Sequence, residues 1–82
     1  MRIDKFLKVS RILKRRTVGK DACEFGRVSV NGKQVKPSCR LKENDVVSLK
    51  FGERTFTFRV LKLCEHVLKE DSQTMYEVIN EE

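Results

Sequence analysis

The sequence lacks several features that membrane-spanning, catalytic and phosphate-binding proteins need. Its longest apolar runs are only a few residues, far below the roughly 20 that cross a bilayer as a helix. Its four isolated glycines form no phosphate-binding loop, and the single histidine, His66, has no nucleophile pattern near it. We therefore expect no membrane span and no enzymatic activity, and we assign no catalytic residue and no cofactor.

Cysteine is also scarce, and its spacing does not favour a metal site. Cys23, Cys39 and Cys64 are separated by 16 and 25 positions, without a C-x-x-C pair. A zinc site that includes His66 is therefore disfavoured, and we interpret the cysteines as buried or idle thiols and assign no metal ligand. The odd number of cysteines and the absence of a preceding apolar signal segment favour a reducing cytoplasm.

Positive charge is plentiful, but it is confined to one half of the chain. The chain of 82 residues carries a net charge of +6. A domain of this size buries only roughly 60% of the surface that its unfolded chain exposes. Residues 1–42 hold 13 Lys or Arg and 3 Asp or Glu, a net charge of +10, whereas residues 43–82 hold 5 and 9, a net charge of −4. Such asymmetry indicates a polyanionic partner, either nucleic acid or an anionic membrane surface.

The first residues predict a short amphipathic helix. Ile3, Phe6 and Leu7 recur at i, i+3 and i+4 and form one apolar stripe. Asp4 falls in the first turn, where a carboxylate stabilises the positive end of the helix dipole and could also hold a nearby arginine. We expect this helix to place its cations on the side opposite the stripe.

A second short helix is predicted to follow. Thr17 is a candidate N-cap because its hydroxyl can accept a hydrogen bond from the following turn, and Gly26 suits the left-handed conformation at a helix end. Val18, Ala22 and Phe25 recur at i, i+4 and i+7 and predict its apolar face.

The pattern then changes to the alternation of β-strands. Val28 and Val30 alternate with polar residues, and Asn31-Gly32 is a strong signal for a tight hairpin. A second hairpin is predicted across Gly52-Glu53. Residues 75–79 could form a final strand or a frayed helical turn, and the pattern favours the strand. All five phenylalanines fall on apolar stripes and are expected in the core: Phe6, Phe25, Phe51, Phe56 and Phe58.

The order of these motifs resembles the alpha-L motif, the RNA-binding domain of the S4 type. The resemblance rests on the R-x-D-x-x-L opening of Arg2, Asp4 and Leu7, the helix-ending Gly26 and the V-x-V-N-G segment at 28–32. It implies an α+β fold, with two short N-terminal helices packed on a small, mostly antiparallel sheet, and a β-rich C-terminal extension. Residues 1–62 would form the RNA-binding domain, and residues 63–82 an extension that completes the same single domain.

The whole chain is also similar to the RqcP-type family of stand-alone bacterial ribosome-quality-control factors and to the related small heat-shock RNA-binding proteins. "FLKVSRILKRRTVGK" near the start and "MYEVI" near the end carry this resemblance. It implies binding to large-subunit ribosomal RNA and P-site peptidyl-tRNA, with a nascent-chain tailing factor on the same subunit. We expect the protein to be a monomer. The alternative is a general structured-RNA-binding protein in ribosome assembly or in heat-shock recycling of large subunits.

The predicted RNA-binding residues come from the two helices and the first hairpin. We expect them to recognise A-form shape and backbone rather than stack bases, because few aromatic side chains are predicted to be exposed. Arg16 is the strongest single candidate. The predicted set is Arg2, Lys5, Lys8, Arg11, Lys14, Arg15, Arg16, Lys20, Arg27, Asn31, Lys33 and Lys36.

Two other roles for these cations are disfavoured. The "KRR" segment at residues 14–16 matches a localisation signal, but such segments occur by chance in basic chains. The first helix could lie on anionic lipid, yet its short apolar stripe is needed for the core.

Overall fold

The computed structural model describes residues 1–82 and confirms the predicted α+β fold. Two helices and one 3-10 helix accompany a five-stranded antiparallel sheet. No helix combines the length and the apolar character that crossing a membrane requires. In chain order the elements are α1 (Ile3–Val9), α2 (Arg16–Glu24), β1 (Val28–Val30), β2 (Lys33–Gln34), β3 (Val46–Phe51), β4 (Arg54–Val60), the 3-10 helix (Lys69–Met75) and β5 (Tyr76–Glu81).

The sheet places the basic and acidic halves of the chain at opposite edges. Its strand order is β2-β1-β3-β4-β5, and every neighbouring pair is antiparallel. The β1–β2 hairpin of the basic half therefore lies at one edge, and β5 at the other. The predicted final strand is confirmed as β5, although it begins at Tyr76.

The predicted period of two is confirmed on the helix-facing side of the sheet. Val28 of β1 pairs with Leu49 of β3, and both are buried. The ring of Phe6 in α1 stacks on that of Phe58 in β4, with centroids 6.0 Å apart. The apolar stripe of α1 therefore covers the middle of the sheet and closes the core.

Small residues let α2 approach α1 closely. Gly19 is buried, and a Cβ atom there would lie 3.3 Å from Cδ1 of Leu7, tighter than most such contacts. Cys23, one turn later, is also buried. This close approach brings the N-terminal end of α2 beside α1.

The predicted apolar face of α2 is wrong at Val18 and Phe25, because the helix is rotated relative to that pattern. Ala22, the third predicted position, is half-buried against the core. Its buried positions are Gly19 and Cys23, whereas Val18 is 44% exposed and Phe25, after the last helical residue, is 73% exposed. Phe51 was also expected in the core, but it is 44% exposed, because it ends β3 beside the Gly52 turn. The other three phenylalanines are buried or half-buried.

The predicted N-cap is also wrong, whereas the glycine turns are confirmed. The helix α2 begins at Arg16, so Thr17 lies inside its first turn, and the capping position, Arg15, makes no side-chain hydrogen bond. Asn31 and Gly32 have φ angles of 51° and 86°, as the tight hairpin requires.

Candidate nucleic-acid interface

A buried carboxylate joins two arginines from different elements. The side chain of Asp4 in α1 is only 3% exposed. Its Oδ2 accepts a hydrogen bond from Nη2 of Arg2 at 3.1 Å, and its Oδ1 accepts one from Nη2 of Arg16 at 3.3 Å. The arginine side chains are 41% and 46% exposed, so each guanidinium is held on one side and open to solvent on the other.

The backbone around Arg2 is fixed by a second segment of the chain. Arg2 forms an isolated antiparallel bridge with Arg40. On either side of it, the N–H of Ile3 donates to the carbonyl of Cys39 at 2.8 Å, and the N–H of Leu41 donates to that of Met1 at 2.9 Å. Arg2 is therefore part of the folded structure rather than of a loose terminus.

The N-terminal end of α2 opens into the same region. Arg2, Asp4, Arg16, Thr17 and Lys20 line a shallow depression of about 260 Å³, which we call the basic cleft. No side chain caps α2, so its first N–H groups have no side-chain acceptor. Cations, a hydroxyl and a helix N-terminus at one concave place suit a phosphate group. The structure thus brings Arg2, Arg16 and Lys20 together.

Three other predicted cations of the first helical region lie apart from the basic cleft. Lys5 makes an ion pair with Glu65, and this contact lowers the pKa of the Glu65 carboxyl group. Lys8 and Arg11 line a separate small depression with Glu65 and His66. The Glu65 carboxylate weakens the positive field around these three cations. Because Glu65 lies 60 positions from Lys5 in the sequence, no local pattern could predict this ion pair.

The predicted residues of the hairpin have different surroundings. The Asn31 side chain is engaged within the fold: its Nδ2 donates to Oδ1 of Asp45 at 3.1 Å, and its Oδ1 accepts from the N–H of Val46 at 2.9 Å. Lys33 and Lys36 are exposed and make no ion pair. Lys14, Arg15 and Arg27 are likewise exposed without an ion pair.

Residues 1–47 match the S4 domain. The chain belongs to the S4 domain family. The two helices, the basic cleft between them and the β1–β2 hairpin all fall within the matched region. The matched region also covers every predicted RNA-binding residue of this S4 protein.

Relatives of this S4 protein extend over its full length. It is 48% identical over 82 residues to the RQC P-site tRNA stabilizing factor of Halalkalibacterium halodurans, covering 100% of this chain and 93% of that protein. It is 49% identical over 81 residues to the protein of the same name from Streptococcus pneumoniae, covering 99% and 92%. The trimeric structure of Vibrio cholerae heat shock protein 15 matches with a TM-score of 0.88 and 26% identity, covering 96% of this chain and 81% of that one.

The cysteines of this S4 protein are free thiols in unlike surroundings. Cys23 is buried, whereas Cys39 and Cys64 are half-buried. Burial, with a smaller contribution from the negative charge of Asp4, raises the pKa of the Cys23 thiol to about 11. This thiol is therefore protonated near neutral pH, which makes it a poor nucleophile and a poor metal ligand.

Proposed function

We propose that this chain is an RNA-binding protein that stabilises P-site tRNA on the large ribosomal subunit during ribosome-associated quality control. The full-length identity of 48% and 49% to two proteins named for that role supports the assignment. The chain would contact large-subunit ribosomal RNA and the P-site peptidyl-tRNA in the bacterial cytoplasm, while a nascent-chain tailing factor acts on the same subunit. It would carry out no catalysis of its own.

The observation that carries this proposal is the pair of arginines held by Asp4. Lysine and arginine contacts to phosphates release counterions and provide most of the sequence-independent affinity for RNA. Arg2 and Arg16 are already oriented by a buried carboxylate, so little side-chain freedom is lost when they bind. The open side of each guanidinium remains available for a phosphate.

A second basic region supports contact with more than one RNA segment. Lys33 and Lys36 lie on and just after the β1–β2 hairpin, at an edge of the sheet, whereas the basic cleft lies where the helices meet. The whole molecule measures only 29 × 23 × 21 Å, and its helices and sheet share one core. Two basic regions on one rigid body suit a protein that contacts ribosomal RNA and tRNA together.

Sedimentation with large subunits tests this proposal. Arg16→Ala removes a guanidinium of the basic cleft, and Arg54→Ala removes an exposed, unpaired guanidinium from β4 as the matched control. At near-physiological salt, we expect the parent and Arg54→Ala to remain on subunits that carry P-site tRNA, and Arg16→Ala to bind at least tenfold more weakly. Equal retention of both variants, or equal retention of the parent on duplex DNA, would contradict the proposal.

A second candidate function is general binding of large subunits during heat-shock recycling or assembly. The structural similarity to heat shock protein 15, with its TM-score of 0.88, favours it. The same sedimentation distinguishes the two functions. A P-site tRNA stabiliser should prefer subunits that carry tRNA, whereas a general subunit binder should sediment equally well with subunits that carry none.

A further inference from the structure

Phe25 is an aromatic side chain that the fold leaves in solvent. It is 73% exposed, more than the other exposed large apolar side chains of the chain. It follows the last residue of α2, and its backbone N–H donates to the carbonyl of Asp21 at 2.9 Å. The ring therefore stands on fixed backbone without contributing to the core.

A guanidinium covers part of this ring. The Cζ atom of Arg27 lies 5.4 Å from the ring centroid of Phe25, within the range of a cation–π contact. The backbone of Arg27 is held on both sides, because its N–H donates to the carbonyl of Ala22 at 2.9 Å and its carbonyl accepts from Lys50 at 2.8 Å. Ring and guanidinium thus form one ordered, solvent-facing unit.

The charges around Phe25 favour a base over a phosphate at this position. The exposed carboxylates of Asp21 and Glu24 lie within a turn of the ring, where they would repel a phosphate. Lys36 follows Val35, whose N–H donates to the carbonyl of Val28, the residue after Arg27, so an exposed cation for the adjoining backbone lies close to Arg27 along the chain. A neutral base fits between these regions.

We propose that Phe25 and Arg27 form a stacking site for an unpaired RNA base. Aromatic rings and guanidinium planes accept any base by stacking, and the contact is insensitive to sequence. A partner helix laid along α2 fits less well, because the next exposed apolar side chain on α2, Val18, is seven positions or roughly 10 Å along the helix. The inference rests on the proposed RNA-binding function and adds to it a contact with a base.

The test uses two short RNAs that share one stem. One is a blunt duplex, and the other carries a single unpaired 2-aminopurine at its 3′ end. We expect the parent to bind the second RNA more tightly and to quench its fluorescence. Phe25→Ala should lose about fivefold or more on that RNA, keep its affinity for the blunt duplex, and retain the parent's salt dependence, since stacking releases no counterions.

Leu68→Ala is the control, because Leu68 is also exposed, at 65%, and lies in the acidic half. It should bind both RNAs like the parent. If Phe25→Ala equals the parent on both RNAs, the stacking site is refuted while RNA binding stands. If the parent binds neither RNA, the stacking proposal is overturned, whereas the proposed function is decided separately by sedimentation with large subunits. If Phe25→Ala is retained more weakly on ribosomal subunits but keeps its affinity for both RNAs, the Phe25 ring contacts a ribosomal protein and not an RNA base. That result would overturn the proposal.

Discussion

The two halves of the molecule organise their charges in different ways. In the basic half, one buried carboxylate, Asp4, orients two arginines that come from separate elements. In the acidic half, Arg59 of β4 and Glu77 of β5 pair across neighbouring strands, with side chains 45% and 50% exposed. Exposed pairs of this kind contribute about 0–1 kcal/mol to stability and hold neither partner firmly.

This difference shows that the number of cations does not by itself define a binding surface. Lys5 belongs to the basic half, yet it is paired with Glu65 of the acidic half. Arg2 and Arg16 also contact a carboxylate, but that carboxylate is buried and leaves one side of each guanidinium open. The position of a cation in the fold therefore determines whether it can bind RNA or is already paired with a carboxylate.

Replacing a turn glycine in each half should reveal the largest difference in RNA affinity between the basic and the acidic half. Gly32 and Gly52 both have positive φ angles, and neither has an atom within 4 Å of the position a Cβ would occupy. Valine at either site should therefore cost a similar backbone strain, on the order of 1–3 kcal/mol, and lower the melting temperature. Only Gly32→Val should also weaken RNA binding, because its hairpin carries Lys33.

Circular-dichroism melts and RNA titrations of the two variants check this prediction. An unchanged melt for Gly32→Val would refute the strain at that turn. Equal losses of RNA affinity in both variants would show that the binding surface is not confined to the basic half.

The buried thiol of the basic half should make stability depend on pH in the alkaline range. Below pH about 9 the Cys23 thiol is protonated in both the folded and unfolded chains, so it adds no pH dependence. Between that pH and the folded pKa of about 11, only the unfolded chain ionises, and the free energy of unfolding falls as pH rises.

Denaturant titrations between pH 8 and 11 measure this effect as the difference between the parent and Cys23→Ala. Cys64→Ala removes a half-buried thiol of the acidic half and serves as the matched Cys-to-Ala control. The same pH dependence in parent and Cys23→Ala would contradict the assigned role of burial.

The smallest effect is expected at the exposed ion pair. Arg59→Ala should change the free energy of unfolding by less than about 1 kcal/mol, because both side chains remain hydrated in the folded chain. RNA affinity should also change little, since Arg59 lies outside the basic half. A tenfold loss of RNA affinity would extend the binding surface onto β4.

Local sequence patterns predicted much of the fold, because strand alternation and tight turns depend on residues that are neighbours in the chain. Alternation at Val28 and Val30 and the Asn31-Gly32 pair predicted the hairpin that the structure shows. Periodicity could not fix the rotation of α2, because its buried side is built from Gly19 and Cys23, small residues that a hydrophobic pattern overlooks. The same rotation leaves Phe25 in solvent.

Long-range contacts limited prediction of the candidate site. The sequence places Arg2, Asp4 and Arg16 in one basic half, and an arginine partner for Asp4 was one of two predicted roles. Only the packing of α2 against α1 brings Arg16, twelve positions away, onto the same carboxylate. The engagement of Asn31 with Asp45 and of Lys5 with Glu65 has no local signal for the same reason.

The most direct test of the account compares the affinities of Asp4→Asn and Asp21→Asn for large subunits that carry P-site tRNA. Each substitution removes one negative charge from the basic half, but Asp4 orients two arginines whereas Asp21 is exposed and unpaired. If total charge determined binding, both variants would bind at least as tightly as the parent. We predict that Asp21→Asn does so and that Asp4→Asn, although more positive than the parent, binds at least tenfold more weakly. Tighter binding by Asp4→Asn in a folded protein would contradict the account.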